Sequence, residues 1–161
     1  MKPISIRKIV VLGMSAAMLV VCLWPYAWAQ SGKEKAYVGS ETCMECHEKE
    51  YLNFIAYAKK ASSFEKVMKM KKGLIESEYR ECLGCHTTGY GKPGGFVSAS
   101  ETPDLANPGC EVCHGPGSSH VESEDVKDIE AKLSEEQCVL CHNSDRVAAF
   151  NFKPMIYGGA H

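Results

Sequence analysis

Cys43-Met44-Glu45-Cys46-His47 is the first of four pentapeptides with one pattern, and that pattern decides what the interior of this protein is made of. The others are Cys82-Leu83-Gly84-Cys85-His86, Cys110-Glu111-Val112-Cys113-His114 and Cys138-Val139-Leu140-Cys141-His142. Two thiols three residues apart add across the two vinyl groups of one haem, and the imidazole that follows is then held under the iron as its proximal ligand. Paired cysteines also suit four-thiolate zinc sites or disulfides. The histidines favour haem: the chain has six, and four of them directly follow the second cysteine of a pair. The sequence therefore predicts four covalently attached haem c groups. Cys43, Cys46, Cys82, Cys85, Cys110, Cys113, Cys138 and Cys141 supply the thioethers, and His47, His86, His114 and His142 are the proximal iron ligands.

Outward from the motifs, residues 1–29 read as a signal peptide. Lys2, Arg7 and Lys8 make a positive start, residues 9–23 are almost wholly apolar, and Ala27-Trp28-Ala29 is a small-x-small cleavage site before Gln30. The expected organisation is a leader over 1–29 and one tetrahaem cytochrome c domain over 30–161. The apolar run is short of the roughly 20 residues of a membrane span, so membrane association is expected only if the leader stays uncleaved. Cys22, the ninth cysteine, lies in this run without a haem motif, and Val21 stands where lipid-attachment sites want a small residue. Covalent haem attachment takes place outside the cytoplasm, so leader and motifs support each other. The expected location is the periplasm, with extracellular or membrane-associated placement as alternatives.

Lys and Arg total 18 against 20 Asp and Glu, and removing the three basic residues of the leader leaves 15 against 20. Haem propionates add to this acidity, so nucleic acid is not an expected partner. Lys59, Lys60, Lys66, Lys69, Lys71 and Lys72 form a basic block, while Glu122, Glu124, Asp125, Asp128, Glu130, Glu135 and Glu136 form an acidic one. Such runs are either solvated faces or docking surfaces for redox partner proteins. The oligomeric state is left open.

Four haems in so short a chain leave too few apolar side chains for a large conventional core, so the haems must be the core. The fold class expected is mainly α with long irregular loops: a compact multihaem cytochrome c with a haem core and little or no sheet. Residues 33–40 read as an exposed lead-in. Tyr51, Ile55 and Ala58 carry helical spacing, and a second helix is expected over about 63–72, with Phe64, Val67 and Met68 on one face. Ser62-Ser63-Phe64-Glu65 reads as its capping box and Gly73 as its end. Residues 76–85 suit a helix delivering the second motif, and the glycine- and proline-rich 87–117 suit a loop wrapping haem faces. An acidic helix is expected over 121–133, then a short one capped by Ser134 that carries the fourth motif. The tail 150–161 is apolar enough to pack back on the haems.

Four six-coordinate irons need eight axial ligands, and beyond the four proximal imidazoles only His120 and His161 remain. At most two haems are therefore bis-histidine. Residues 115–119, Gly-Pro-Gly-Ser-Ser, form a link that can turn His120 toward a neighbouring iron, so both histidines are expected as distal ligands. Met68, Met70 and Met155 are thioether alternatives, Lys59 and Lys60 amine alternatives, and an open iron is the simplest alternative.

The chain resembles the cytochrome c-554-like family of small multihaem cytochromes. The resemblance is carried by residues 37–42 (Tyr-Val-Gly-Ser-Glu-Thr), 85–91 (Cys-His-Thr-Thr-Gly-Tyr-Gly) and 109–120, where the third motif runs into a Gly-Pro-Gly turn and His120. It implies closely spaced haems in stacked and angled pairs, electron exchange in the periplasm, and His120 and His161 as distal ligands. One departure is plain: relatives often carry a histidine in the segment corresponding to 57–64, where this chain has Ser62 and Ser63. The function read from the sequence is electron transfer between redox partners. The alternatives are a haem enzyme reducing a small nitrogen oxide at an open iron, and a subunit of a conductive cytochrome filament.

Overall fold

Short helices separated by tight turns make up the part of the chain that the computed structural model describes, residues 34–143. The leader, Met155 and the tail with His161 lie outside the described residues. The helices are α1 Ser40–Met44, α2 Glu48–Tyr57, α3 Phe64–Met70, α4 Glu76–His86, α5 Glu111–His114, α6 Ser118–Ser123 and α7 Glu135–Val139. Single 3-10 turns occupy Lys59–Ser62, Lys71–Gly73, Pro103–Leu105 and Val126–Asp128. No strand occurs among the described residues, and no helix there is long and apolar enough to cross a membrane. The mainly α class with irregular connections holds.

Helix α2 lies where the periodicity put it, but it buries Phe54 and, just past its end, Ala58, while Ile55 remains exposed. Helix α3 is shorter than expected because its last turn tightens into 3-10 geometry at Lys71–Gly73. Its predicted capping box does not form. Ser63 has helical backbone angles (φ −81, ψ −23) rather than the extended ones from which a cap hydroxyl reaches back, and its Oγ is buried without a hydrogen-bond partner. The Phe64 N–H donates instead to Asn107 Oδ1 at 3.0 Å, so a side chain from a distant loop caps α3. Phe64 and Val67 are buried, whereas Met68 is 41% exposed.

The expected acidic helix over 121–133 is corrected to one turn and a half, α6, which stops at Glu124 in the left-handed conformation (φ 55). Beyond it, Asp125 accepts from the Lys127 N–H at 2.9 Å and Ser123 Oγ donates to Asp128 at 2.6 Å. Short polar side chains that satisfy the backbone locally compete with helix. Val121 and Val126 are exposed, so no apolar face draws the segment back into one.

The loop 87–117 is more ordered in its contacts than its composition suggests. Thr88 N–H donates to Leu105 O and Phe96 N–H to Thr88 O, both at 2.9 Å. These bonds bring Phe96 and Leu105 against Phe64 and Leu83, with the Phe64 and Phe96 rings edge to face at 5.4 Å. A methyl group on Gly95 would run into the Gly89 carbonyl, so only glycine permits this approach. The protein-only core is small. Leu52, Ile55, Tyr57, Val139 and Leu140 stay exposed beside the attachment motifs, as expected where another apolar body completes the interior.

Candidate haem sites

Each pentapeptide is built on a helical turn. The His47 N–H donates to Cys43 O at 2.9 Å, His114 to Cys110 O at 3.0 Å and His142 to Cys138 O at 2.9 Å, while the second motif lies wholly inside α4. Residues i, i+3 and i+4 of such a turn share one face, so both thiols and the imidazole of each motif present together to one planar group. All eight motif cysteines are free thiols. Among the described residues no three His, Cys, Asp or Glu side chains gather closely enough to hold a bare ion. That arrangement suits haem attachment better than four-thiolate zinc sites or disulfides.

The three sequence blocks that carry the family resemblance lie against one another. Glu111, inside the third motif, is buried, and its carboxylate accepts from the N–H groups of Val38 at 2.9 Å, Gly39 at 2.9 Å and Gly117 at 2.8 Å. Ser40 Oγ accepts from Cys110 N–H at 3.1 Å, Thr88 Oγ1 accepts from Gly109 N–H at 2.9 Å, and Ala36 donates its N–H to Ser118 Oγ at 2.8 Å while its carbonyl accepts from Ser118 N–H at 3.1 Å. The lead-in expected to be exposed is therefore a pinned strap: Tyr37 and Val38 are half-buried and Gly39 is buried. Its Val38 and Gly39 N–H groups are spent on Glu111 of the third motif, and Ala36 bonds to Ser118. Residues 115–119 form a fixed turn into α6, with Gly115 at φ 76, rather than a free link. Sequence reasoning missed the role of Glu111. An acid between two motif cysteines was its only local mark, and nothing in the sequence marked its amide partners some 72 residues away.

The motifs also meet through their thiols. Cys43 and Cys110 share a hydrogen bond, which with burial pushes the Cys43 thiol up and draws Cys110 down to about 6. Cys141, raised to about 12 by burial, also meets Cys85, and Cys113 lies close enough to Cys138 to raise it further. Attachment points are thus adjacent between motifs one and three, three and four, and four and two.

The histidines are oriented for metal. His114 Nδ1 lies 2.7 Å from Glu130 O and His120 Nδ1 lies 3.0 Å from Asp125 O, contacts that fix the ring and direct Nε2 outward, the usual support for a metal-bound imidazole. The His47 and His120 ring centroids are 6.4 Å apart with planes 28° from parallel. His47 and His120 are the residues that would hold a haem iron at the first motif, where it would supply one-electron chemistry. Met68, a sequence candidate for ligation, has its sulfur occupied instead by the Tyr79 hydroxyl at 3.6 Å. Burial first, and the Lys60 ammonium second, hold His142 below its ordinary value.

Repeated thiol-thiol-imidazole turns in a helical chain with a small core define a c-type cytochrome, a protein that binds haem covalently. The family model for cytochrome c554 and c-prime matches residues 42–115, which contain the first three motifs. Cytochrome c-554 of Nitrosomonas europaea is 30% identical over 115 residues, 65% of this chain and 49% of the relative. The chain spans about half the length of that relative. No solved structure matches the chain. Over residues 42–115 the chain resembles the cytochrome c-554-like family.

Proposed function

We propose that this is an exported, periplasmic tetrahaem cytochrome that passes single electrons between redox partner proteins. The observation that carries this reading is the adjacency of attachment points from the first motif to the third, the third to the fourth and the fourth to the second. Bound haem supplies one-electron chemistry at its iron. The cysteines hold neighbouring groups in a continuous order, so no motif is left isolated from the others. The proximal roles fall to His47, His86, His114 and His142, and the distal role at the first motif to His120. His161 is the candidate for a second distal position. The leader over 1–29 directs the chain to the compartment where haem is attached, and 30–161 is the working domain.

Haem quantification and intact mass of the exported protein test this directly. Four haems per chain, with the mass starting at Gln30, are expected; three or fewer haems would contradict the tetrahaem reading. The ligand count favours one further possibility, an open iron that binds a small nitrogen oxide. High-spin haem by electron paramagnetic resonance together with catalytic turnover of such a ligand would establish it, and wholly low-spin haem would exclude it.

A further inference from the structure

The amine of Lys60 lies against an attachment point of the third motif. Its backbone is fixed by the 3-10 turn Lys59–Ser62, where Ala61 N–H donates to Ala58 O at 2.9 Å and Ser63 N–H to Lys60 O at 3.0 Å, between the buried residues Ala58 and Ser63. From this turn Lys60 Nζ reaches 3.6 Å from Cys113 Sγ of the third motif. It also lies 5.4 Å from the centroid of the buried Phe54 ring, within the range of a cation–π contact. Lys60 is half-buried while its neighbour Lys59 is exposed, so the two adjacent lysines serve different surroundings. The sequence grouped both in one basic block and separated neither from the rest.

We infer that Lys60 is a built-in electrostatic control of reduction potential, a positive charge held against the third haem attachment turn that makes the haem bound there easier to reduce. Adding one electron to an iron lowers its charge by one, and a nearby fixed cation stabilises the product relative to the reactant. A partly buried charge is screened far less by salt than an exposed one, so the effect persists at ordinary ionic strength. No bond forms or breaks, and Lys60 keeps its proton throughout. The inference rests on the tetrahaem reading.

The test is a spectroelectrochemical titration of the fully loaded protein and of Lys60→Met, Lys60→Arg and Lys59→Met. Lys60→Met is expected to lower one of the four midpoint potentials by roughly tenfold in the one-electron equilibrium constant, or about 59 mV. Lys60→Arg and Lys59→Met are expected to leave all four close to their original values. Four unchanged potentials in a fully loaded Lys60→Met would overturn the inference. A haem turning high-spin in that variant would overturn it too, because Lys60 would then be an iron ligand rather than a neighbouring charge. If Lys60→Met loads fewer haems than the parent, Lys60→Gln is compared with Lys60→Arg, and equal potentials in that pair count against the inference. Fewer than four haems in the parent protein would break the tetrahaem reading instead.

Discussion

The third and fourth attachment turns share one local geometry but sit in opposite surroundings. At the third, the buried Glu111 gathers backbone amides from 38, 39 and 117, and Ser40 and Thr88 hold the residues on either side. At the fourth, α7 is a five-residue helix without a buried side chain, and it is started by Ser134, whose hydroxyl accepts from Glu136 N–H at 3.3 Å. Polypeptide alone organises the first pairing, between the Cys43 and Cys110 turns. Among the described residues, no buried side chain of α7 supports the fourth turn.

The largest expected effect comes from removing the hub of the ordered region. Glu111→Ala strands three amide donors, and since each buried unmade hydrogen bond costs about 1–3 kcal/mol, a loss of roughly 3 kcal/mol or more is expected. Guanidinium unfolding of the holoprotein measures it. Glu111→Gln, which keeps one acceptor oxygen, should lose less, and an unperturbed Glu111→Ala would dissolve the contrast between the two turns. Gly95→Ala comes next. Forcing a methyl group against the Gly89 carbonyl should cost about 1–3 kcal/mol and loosen Phe96 from the core, seen as a lowered Tm. The smallest effect is expected at α7, where Ser134→Ala removes a cap worth about 1 kcal/mol. Hydrogen exchange should quicken at 135–139 with little change in the global transition; a global loss as large as that of Glu111→Ala would mean the fourth turn is as well supported as the third.

Helix α2 was legible from the spacing of Tyr51, Ile55 and Ala58 and α4 as the element that delivers the second motif, and so was the Ser134 cap, which is local chemistry. The pentapeptides were legible for the same reason: everything a single attachment turn needs lies within five residues. What escaped was long-range. Asn107 displaced Ser63 as the cap of α3, and Glu111 converted an apparently free lead-in into a strap, both through partners more than 40 residues distant. The acidic segment after His120 looked helical by composition, yet Ser123 and Asp125 satisfied their own backbone and Glu124 turned left-handed. The count of six histidines remained informative, since four haems would need eight axial ligands and at most two of the haems could then be bis-histidine.

The proposed pairing of His47 with His120 on one iron would join the first motif to the strap, the Gly-Pro-Gly turn and the third motif, and one comparison tests it most directly. Electron paramagnetic resonance of the fully loaded protein and of His120→Ala should show one haem passing from low-spin to high-spin, with the other haems unchanged and the new site binding carbon monoxide once reduced. Retention of every low-spin signal in His120→Ala would contradict the pairing, because the 6.4 Å separation of the two rings would then mark a contact between side chains rather than the two faces of one iron.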